Sequence, residues 1–194
     1  SIQREVNMEI TGTVENKTDN MASLCFTMMK TMYKKEYSEF LNMFYGIHVS
    51  QIESIDSDYK NIIPEPFFNI MLPISNRKTL NSCFELFTQK ESLSDDNMIY
   101  NEKTKQKEKV TKQILFWSLP DILVITLKRF SNNGRKDKTH IDFPLINLDL
   151  SKYIVGYDKH SYKYDLYGIC NHSGVTQGGH YYAYVKNSNE KWYE

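Results

Sequence analysis

The stretch Asn171-His172-Ser173-Gly174-Val175-Thr176-Gln177-Gly178-Gly179-His180-Tyr181-Tyr182-Ala183-Tyr184 constrains the chain more than any other part of it. Three closely spaced glycines open backbone conformations closed to other residues and let a second backbone approach closely. The β-branched and aromatic run that follows has strand character. The pattern predicts a loop over 171–179 that delivers His180 onto the start of a strand. An imidazole, with an ordinary pKa near 6.5, can take a proton from a thiol or hydroxyl near neutral pH and return it to a leaving amine. A lone histidine at a strand start is also commonly structural, and His172 shares that ambiguity. His48, His140 and His160 lie in contexts that suggest only surface or packing roles.

Upstream, Met21, Leu24, Cys25, Met28, Met32, Tyr33, Tyr37, Phe40, Leu41 and Phe44 recur at three and four, the period of one helix face. Asp19 is the expected start cap and Gly46 the expected stop, with Ser38 able to begin a second helix near Tyr37. Strands are expected over 47–55 and 67–72, separated by a turn-rich segment from Asp56 to Pro66. Thr79 caps a short helix carrying Leu80, Cys83, Phe84 and Phe87. Further strands are read at 114–117, 122–127, 164–170, 180–186 and 191–194, the run 122–127 being apolar enough for burial on both faces. Helices first and strands later imply one α+β domain with a mainly antiparallel sheet.

Twenty-four basic side chains balance twenty-four acidic ones, so no net field favours a nucleic acid. No run approaches the roughly eighteen apolar residues of a membrane span. Cys25, Cys83 and Cys170 are odd in number and far apart, which fits a reducing, intracellular setting rather than a disulfide framework. Cys25 and Cys83 fall on apolar helix faces and Cys170 inside a strand, so each reads as a small buried hydrophobe rather than a nucleophile. A base of this kind needs a third group to fix its tautomer. If 187–190 is a turn, Lys186 pairs with Lys191 and Val185 with Trp192, and the residue opposite His180 falls two or three positions past Glu194. The chain opens on Ser1 and stops inside an expected strand, which reads as a fragment of a longer domain.

The run Leu119-Pro120-Asp121-Ile122-Leu123-Val124-Ile125-Thr126-Leu127-Lys128-Arg129-Phe130 resembles the Leu-Pro, apolar strand and Leu-Lys-Arg-Phe signature of the ubiquitin-specific proteases. Ile141-Asp142-Phe143-Pro144-Leu145 with Asn147-Leu148-Asp149-Leu150, then Tyr164-Asp165-Leu166-Tyr167-Gly168, then Gly178-Gly179-His180-Tyr181 through Lys191-Trp192-Tyr193, resemble that family's C-terminal half in order and spacing. Tyr37-Ser38, Phe44-Tyr45-Gly46 and Ser50 are similar to its approach to the palm and fingers. The resemblance implies a papain-like thumb, palm and fingers fold. Of this, the chain would supply one partial catalytic domain, 1–194, with helices over 19–46, fingers over 47–118 and palm over 119–194. It further implies that His180 is the catalytic histidine. Residues 171–179 and 131–140 would border the channel for ubiquitin's C-terminal tail, with Ile141, Gln177, Gly178, Gly179 and Tyr181 as the tail-binding residues and glycine walls suiting a Gly-Gly tail.

Two departures from the family pattern stand out. The Asn-Thr-Cys box of the family has no counterpart here, and the fingertip positions that carry two Cys-x-x-Cys pairs in many members are Glu53 and Asp56, then Asn101 and Thr104. A structural zinc, which takes thiolates and imidazoles, is therefore not expected, nor is any other cofactor. The expected activity is thiol-dependent hydrolysis of the bond after ubiquitin's last glycine by the full-length protein, with these residues inactive alone. The alternatives are a ubiquitin-binding module without chemistry, or a protease for a ubiquitin-like modifier.

Overall fold

The computed structural model describes residues 4–159 and 162–194, so the expectation for His160 lies outside the described residues. Helices α1 (Lys17–Glu36) and α2 (Glu39–Phe44) precede β1 (Gly46–Ser54), β2 (Lys60–Phe67) and β3 (Asn69–Pro73). Helix α3 (Leu80–Phe87) is followed by β4 (Glu91–Leu93), β5 (Ile99–Asn101), β6 (Gln106–Glu108), β7 (Val110–Ser118) and β8 (Val124–Lys128). The C-terminal part holds β9 (Leu148–Asp149), β10 (Lys163–Tyr164), β11 (Gly168–Val175), β12 (Gly178–Lys186) and β13 (Trp192–Tyr193). The sheets β2-β1-β7-β4, β5-β6, β9-β10 and β11-β12-β13 are antiparallel, while β3 and β8 pair in parallel.

The helical lead-in breaks where Ser38 suggested, because Tyr37 is extended and exchanges backbone hydrogen bonds with Arg4. Its start cap is Asn16 rather than Asp19: Asn16 Oδ1 accepts from the N–H groups of Thr18 and Asp19 at 2.8 and 3.0 Å. Asp19 sits in the first turn instead and accepts a 2.5 Å hydrogen bond from the Tyr157 hydroxyl, which holds its carboxyl below the usual range. Gly46 opens β1 rather than stopping the helix, and a Cβ there would lie 2.4 Å from the Phe67 ring. The supposed turn at 56–66 is mostly strand β2. Its prolines 64 and 66 are tolerated because β2 is the sheet edge, where their missing N–H groups face away from β1. Thr79 does cap α3, reciprocally with Ser82.

Two apolar cores result, and β7 divides them. Successive residues of a strand point to opposite faces, so Phe116 and Trp117 enter different cores. The larger core gathers α3, β3 and the segments from Leu119 to Tyr153 about Phe116, whose ring meets Phe67 at 5.7 Å, Phe87 at 5.8 Å and Phe84 at 6.3 Å. The smaller core packs Met21, Ala22 and Cys25 of α1 on Ile47, Val49 and Trp117. Strand β8 is only half-buried rather than covered on both faces. The expected strand 164–170 is two strands, since the chain leaves β9 after Tyr164 and joins β12 from Gly168.

Phe84 is fully buried, stacks on Tyr153 at 5.5 Å and meets Phe116 edge to face. Replacing it with alanine removes both contacts and leaves a cavity, so Phe84→Ala is expected to lower the unfolding free energy by about 3–5 kcal/mol in urea titration.

Candidate active site

His180 stands on β12, opposite Ser173 of β11, in a hairpin closed by the two residues Thr176 and Gln177. The expected loop over 171–179 is thus strand on both sides of a tight turn. The conformational burden falls on Gly174, at φ 132°, where its Cα approach to Gly179 leaves no room for a Cβ. His180 is exposed, and its ring has no hydrogen-bonding or ionic partner among the described residues. It shares a hairpin face with Tyr182 and Tyr184, whose rings meet edge to face at 5.7 Å.

The opposite face carries His172, Gly179 and Tyr181. The His172 ring lies 4.7 Å from that of Tyr181 and 5.7 Å from that of Phe130. A Cβ on Gly179 would fall 2.3 Å from His172 Nε2 and 2.4 Å from the Ser173 carbonyl. Gly174 and Gly179 therefore serve close approaches within the hairpin itself. Gly178, beside the turn, meets nothing within 4 Å, so its bare surface faces open space. Gln177 and Tyr181 are exposed, Tyr181 at 66 %. Ile141 lies elsewhere: the Thr79–Asp142 bridge draws its segment onto α3, and its side chain is 3 % exposed within the larger core.

The 131–140 loop closes on itself through the Phe130–Lys136 bridge, with Gly134 at φ 76° in its turn. Arg129 Nη1 donates to the carbonyls of Asp137 and Thr139 at 3.1 and 2.7 Å. Three contacts, made by two side chains, join this loop to the hairpin. Thr176 Oγ1 donates to the Gly134 carbonyl at 2.5 Å, and Lys136 Nζ reaches His172 Nδ1 at 2.9 Å and donates to the His172 carbonyl at 2.6 Å. Sequence patterns did not single out Lys136 or Thr176, because the pairing is between segments far apart in the chain.

None of the three cysteines sits with His180. Cys25 and Cys83 are buried in the two cores, and burial pushes the Cys25 thiol up to about 12 and raises that of Cys83. Cys170 is exposed rather than buried, because the face of β11 that carries it is open to solvent. It pairs with Ala183, which puts it on the hairpin face opposite to His180. The hairpin to β13 pairs Val185 with Tyr193 and Lys186 with Trp192, one residue out of the expected register. The turn holds an extra residue because Glu190 takes a left-handed conformation at φ 64°, so any strand partner of His180 falls one position later than expected.

At the far end of β1, Asn101 and Thr104 donate to Glu108 Oε1, each at 2.7 Å, and Ser57 Oγ donates to Oε2 at 2.6 Å, with Ser54 completing the set. Ser54 and Ser57, one residue beyond the expected Glu53 and Asp56, are the pair that faces Asn101 and Thr104. Glu53 instead binds Lys60 and Lys90. One carboxylate with hydroxyl and amide donors does not fit tetrahedral zinc, and no group of three metal-ligating side chains occurs among the described residues. These donors hold the Glu108 carboxyl down to about 2.

Comparison with known proteins places this arrangement. The fold is that of the ubiquitin-specific proteases: a chain of the yeast SAGA DUB module superposes with a TM-score of 0.71 at 28% identity, over 90% of this chain and 40% of that one. A second SAGA DUB module structure, bound to ubiquitin aldehyde, gives 0.63 at 29% identity over 78% of this chain and 35% of that one. The family model described as ubiquitin carboxyl-terminal hydrolase matches residues 4–194, and the chain belongs to that family, among its ubiquitin-specific proteases. Putative ubiquitin carboxyl-terminal hydrolase 11 of Arabidopsis thaliana is 41% identical over 73% of this chain, and ubiquitin carboxyl-terminal hydrolase 12 of Saccharomyces cerevisiae 44% identical over 64%. The chain spans 16% and 11% of the lengths of those two relatives. No helix among the described residues is long and apolar enough to cross a membrane.

Two outcomes follow from the thiols and from Glu108. Brief native-state alkylation followed by peptide mass mapping should modify Cys170 and spare Cys25 and Cys83 until the protein is unfolded. The depressed Glu108 carboxyl contributes stability that is complete above its ordinary value of 4.5 and fades as pH falls toward about 2. Glu108→Gln should therefore lower the Tm at pH 7 and flatten its decline across that interval.

Proposed function

We propose that this chain supplies the general-base part of a deubiquitinase: the full-length protein hydrolyses the bond after ubiquitin's C-terminal glycine, with His180 as base and acid. The observation that carries the reading is His180 itself, exposed on a hairpin whose turn is tied to the 131–140 loop, with no partner for its ring among the described residues. A free, solvent-reachable imidazole on a pinned strand suits proton transfer to and from a reacting group.

The nucleophile in this reading is a cysteine outside residues 1–194, since Cys170 faces away from His180 and the other two thiols are buried. His180 takes the thiol proton, the thiolate attacks the glycyl carbonyl, and the proton passes to the departing amine, leaving a thioester. His180 then takes a proton from water, whose oxygen attacks the thioester and releases the carboxylate and the thiol. Ubiquitin is the partner, and its tail lies beside the open surface at Gly178, near Gln177 and Tyr181. Residues 47–118 form the fingers and 119–194 the palm. The family membership and the ubiquitin-bound SAGA DUB module structure support this assignment.

The test uses ubiquitin carrying a C-terminal thiol-reactive group, read by intact mass. The full-length gene product should gain one ubiquitin adduct, and His180→Ala should slow its formation about 10²–10⁴-fold. Residues 1–194 alone should gain none. An adduct on these residues that disappears in Cys170→Ser would overturn the assignment of the nucleophile. Ubiquitin binding without an adduct on the full-length product would leave a binding module, and adducts confined to another modifier would reassign the substrate.

A further inference from the structure

The cluster behind His180 contains a cation that the reaction itself does not use. Lys136 Nζ is shared between the ring and the carbonyl of His172, at 2.9 and 2.6 Å, and lies 5.8 Å from the centre of the Phe130 ring. An ammonium has donors and no acceptor, so the contact requires the lone pair of Nδ1 and leaves the ring proton on Nε2. That nitrogen occupies the space a side chain at position 179 would fill, with Tyr181 closing the other side. His172 is thereby fixed at the ring and at the backbone by a residue of a different loop. Both residues are partly buried, a setting in which a charge-assisted bond counts for more than at an open surface.

We propose that Lys136 is a positioning residue for this site: by clamping His172 into the gap over Gly179, it fixes the 131–140 loop to the hairpin that carries His180. The inference rests on the deubiquitinase reading for its kinetic consequence but not for its structural one. The clamp lies on the hairpin face opposite to His180, so its loss loosens the walls beside Gly178 more than it disturbs the proton transfer. Lys136→Met keeps the length of the chain and removes the donors. Lys136→Arg keeps the charge and the donors.

The two variants are compared with the parent in the full-length gene product. Hydrogen–deuterium exchange followed through peptides of 130–140 and 168–180 should show faster exchange in Lys136→Met and near-parental exchange in Lys136→Arg, with the Tm of both close to parental. On a ubiquitin C-terminal amide with a fluorogenic leaving group, Lys136→Met should raise KM about tenfold with kcat within about threefold, and Lys136→Arg should recover most of that loss. Unchanged exchange in Lys136→Met would overturn the clamp, as would a KM that stays parental in an active enzyme. A parental protein without activity would sink the deubiquitinase reading alone, since the exchange measurement still decides the clamp.

Discussion

The arrangement depends first on the burial of Phe116. Its ring touches three others, and its fully buried position makes β7 the partition between two cores. Because Trp117 must then face the other way, helix α1 finds a surface to cover, and the same strand fixes β1 on one side and β4 on the other. The larger core also receives Leu119, Leu123, Ile125 and Leu127, so the strand that leads into the 131–140 loop is positioned by the packing around Phe116. A loop at the site thus inherits its place from an aromatic contact set in another part of the molecule.

Close approach is the second organising constraint. Hairpin β11–β12 brings Gly174 against Gly179, and the space so created is filled by His172 rather than left as a bare wall. The arrangement separates two kinds of chemistry by the alternation of a strand. One face holds a packed and hydrogen-bonded histidine, the other an unencumbered one. His172 and His180 are eight residues apart, a spacing that would share a face on one strand, and the two-residue turn at Thr176 and Gln177 sets the register that puts them on opposite faces.

Much of this was legible in the residues. The helical period of 21–44, the Thr79 cap and the strand carrying His180 are local patterns, written within a few residues of where they act. What could not be read depends on partners distant in the chain. Asn16 caps the helix because the helix begins at Lys17, which leaves Asp19 inside the first turn, bonded to the distant Tyr157. Pro64 and Pro66 looked like a turn until β2 was known to be a sheet edge. The register of β13 shifted through one left-handed residue, Glu190, whose side chain gives no hint of it. At the site, His180 and Tyr181 lie on the strand that the aromatic pattern predicted, while Gly178, expected in a loop, already belongs to that strand because the hairpin turn is only two residues long. Ile141 was drawn into the core by a bridge to Thr79, and Lys136 could be found only once its loop was seen beside the hairpin.

The parallel pairing of β3 with β8 has a kinetic meaning. A parallel pair cannot be closed by a tight turn, and here the chain between Pro73 and Val124 includes α3 and strands β4 to β7 before it returns. Such contacts cost loop-closure entropy and form after the local ones that shorten the effective loop. The hairpin bearing His180 can zip up by itself, but the 131–140 loop that braces it follows β8 and must wait for that return. The hairpin's own pairing is local, whereas its brace is held in place by contacts of long sequence separation, so the two halves of the arrangement carry very different loop-closure costs.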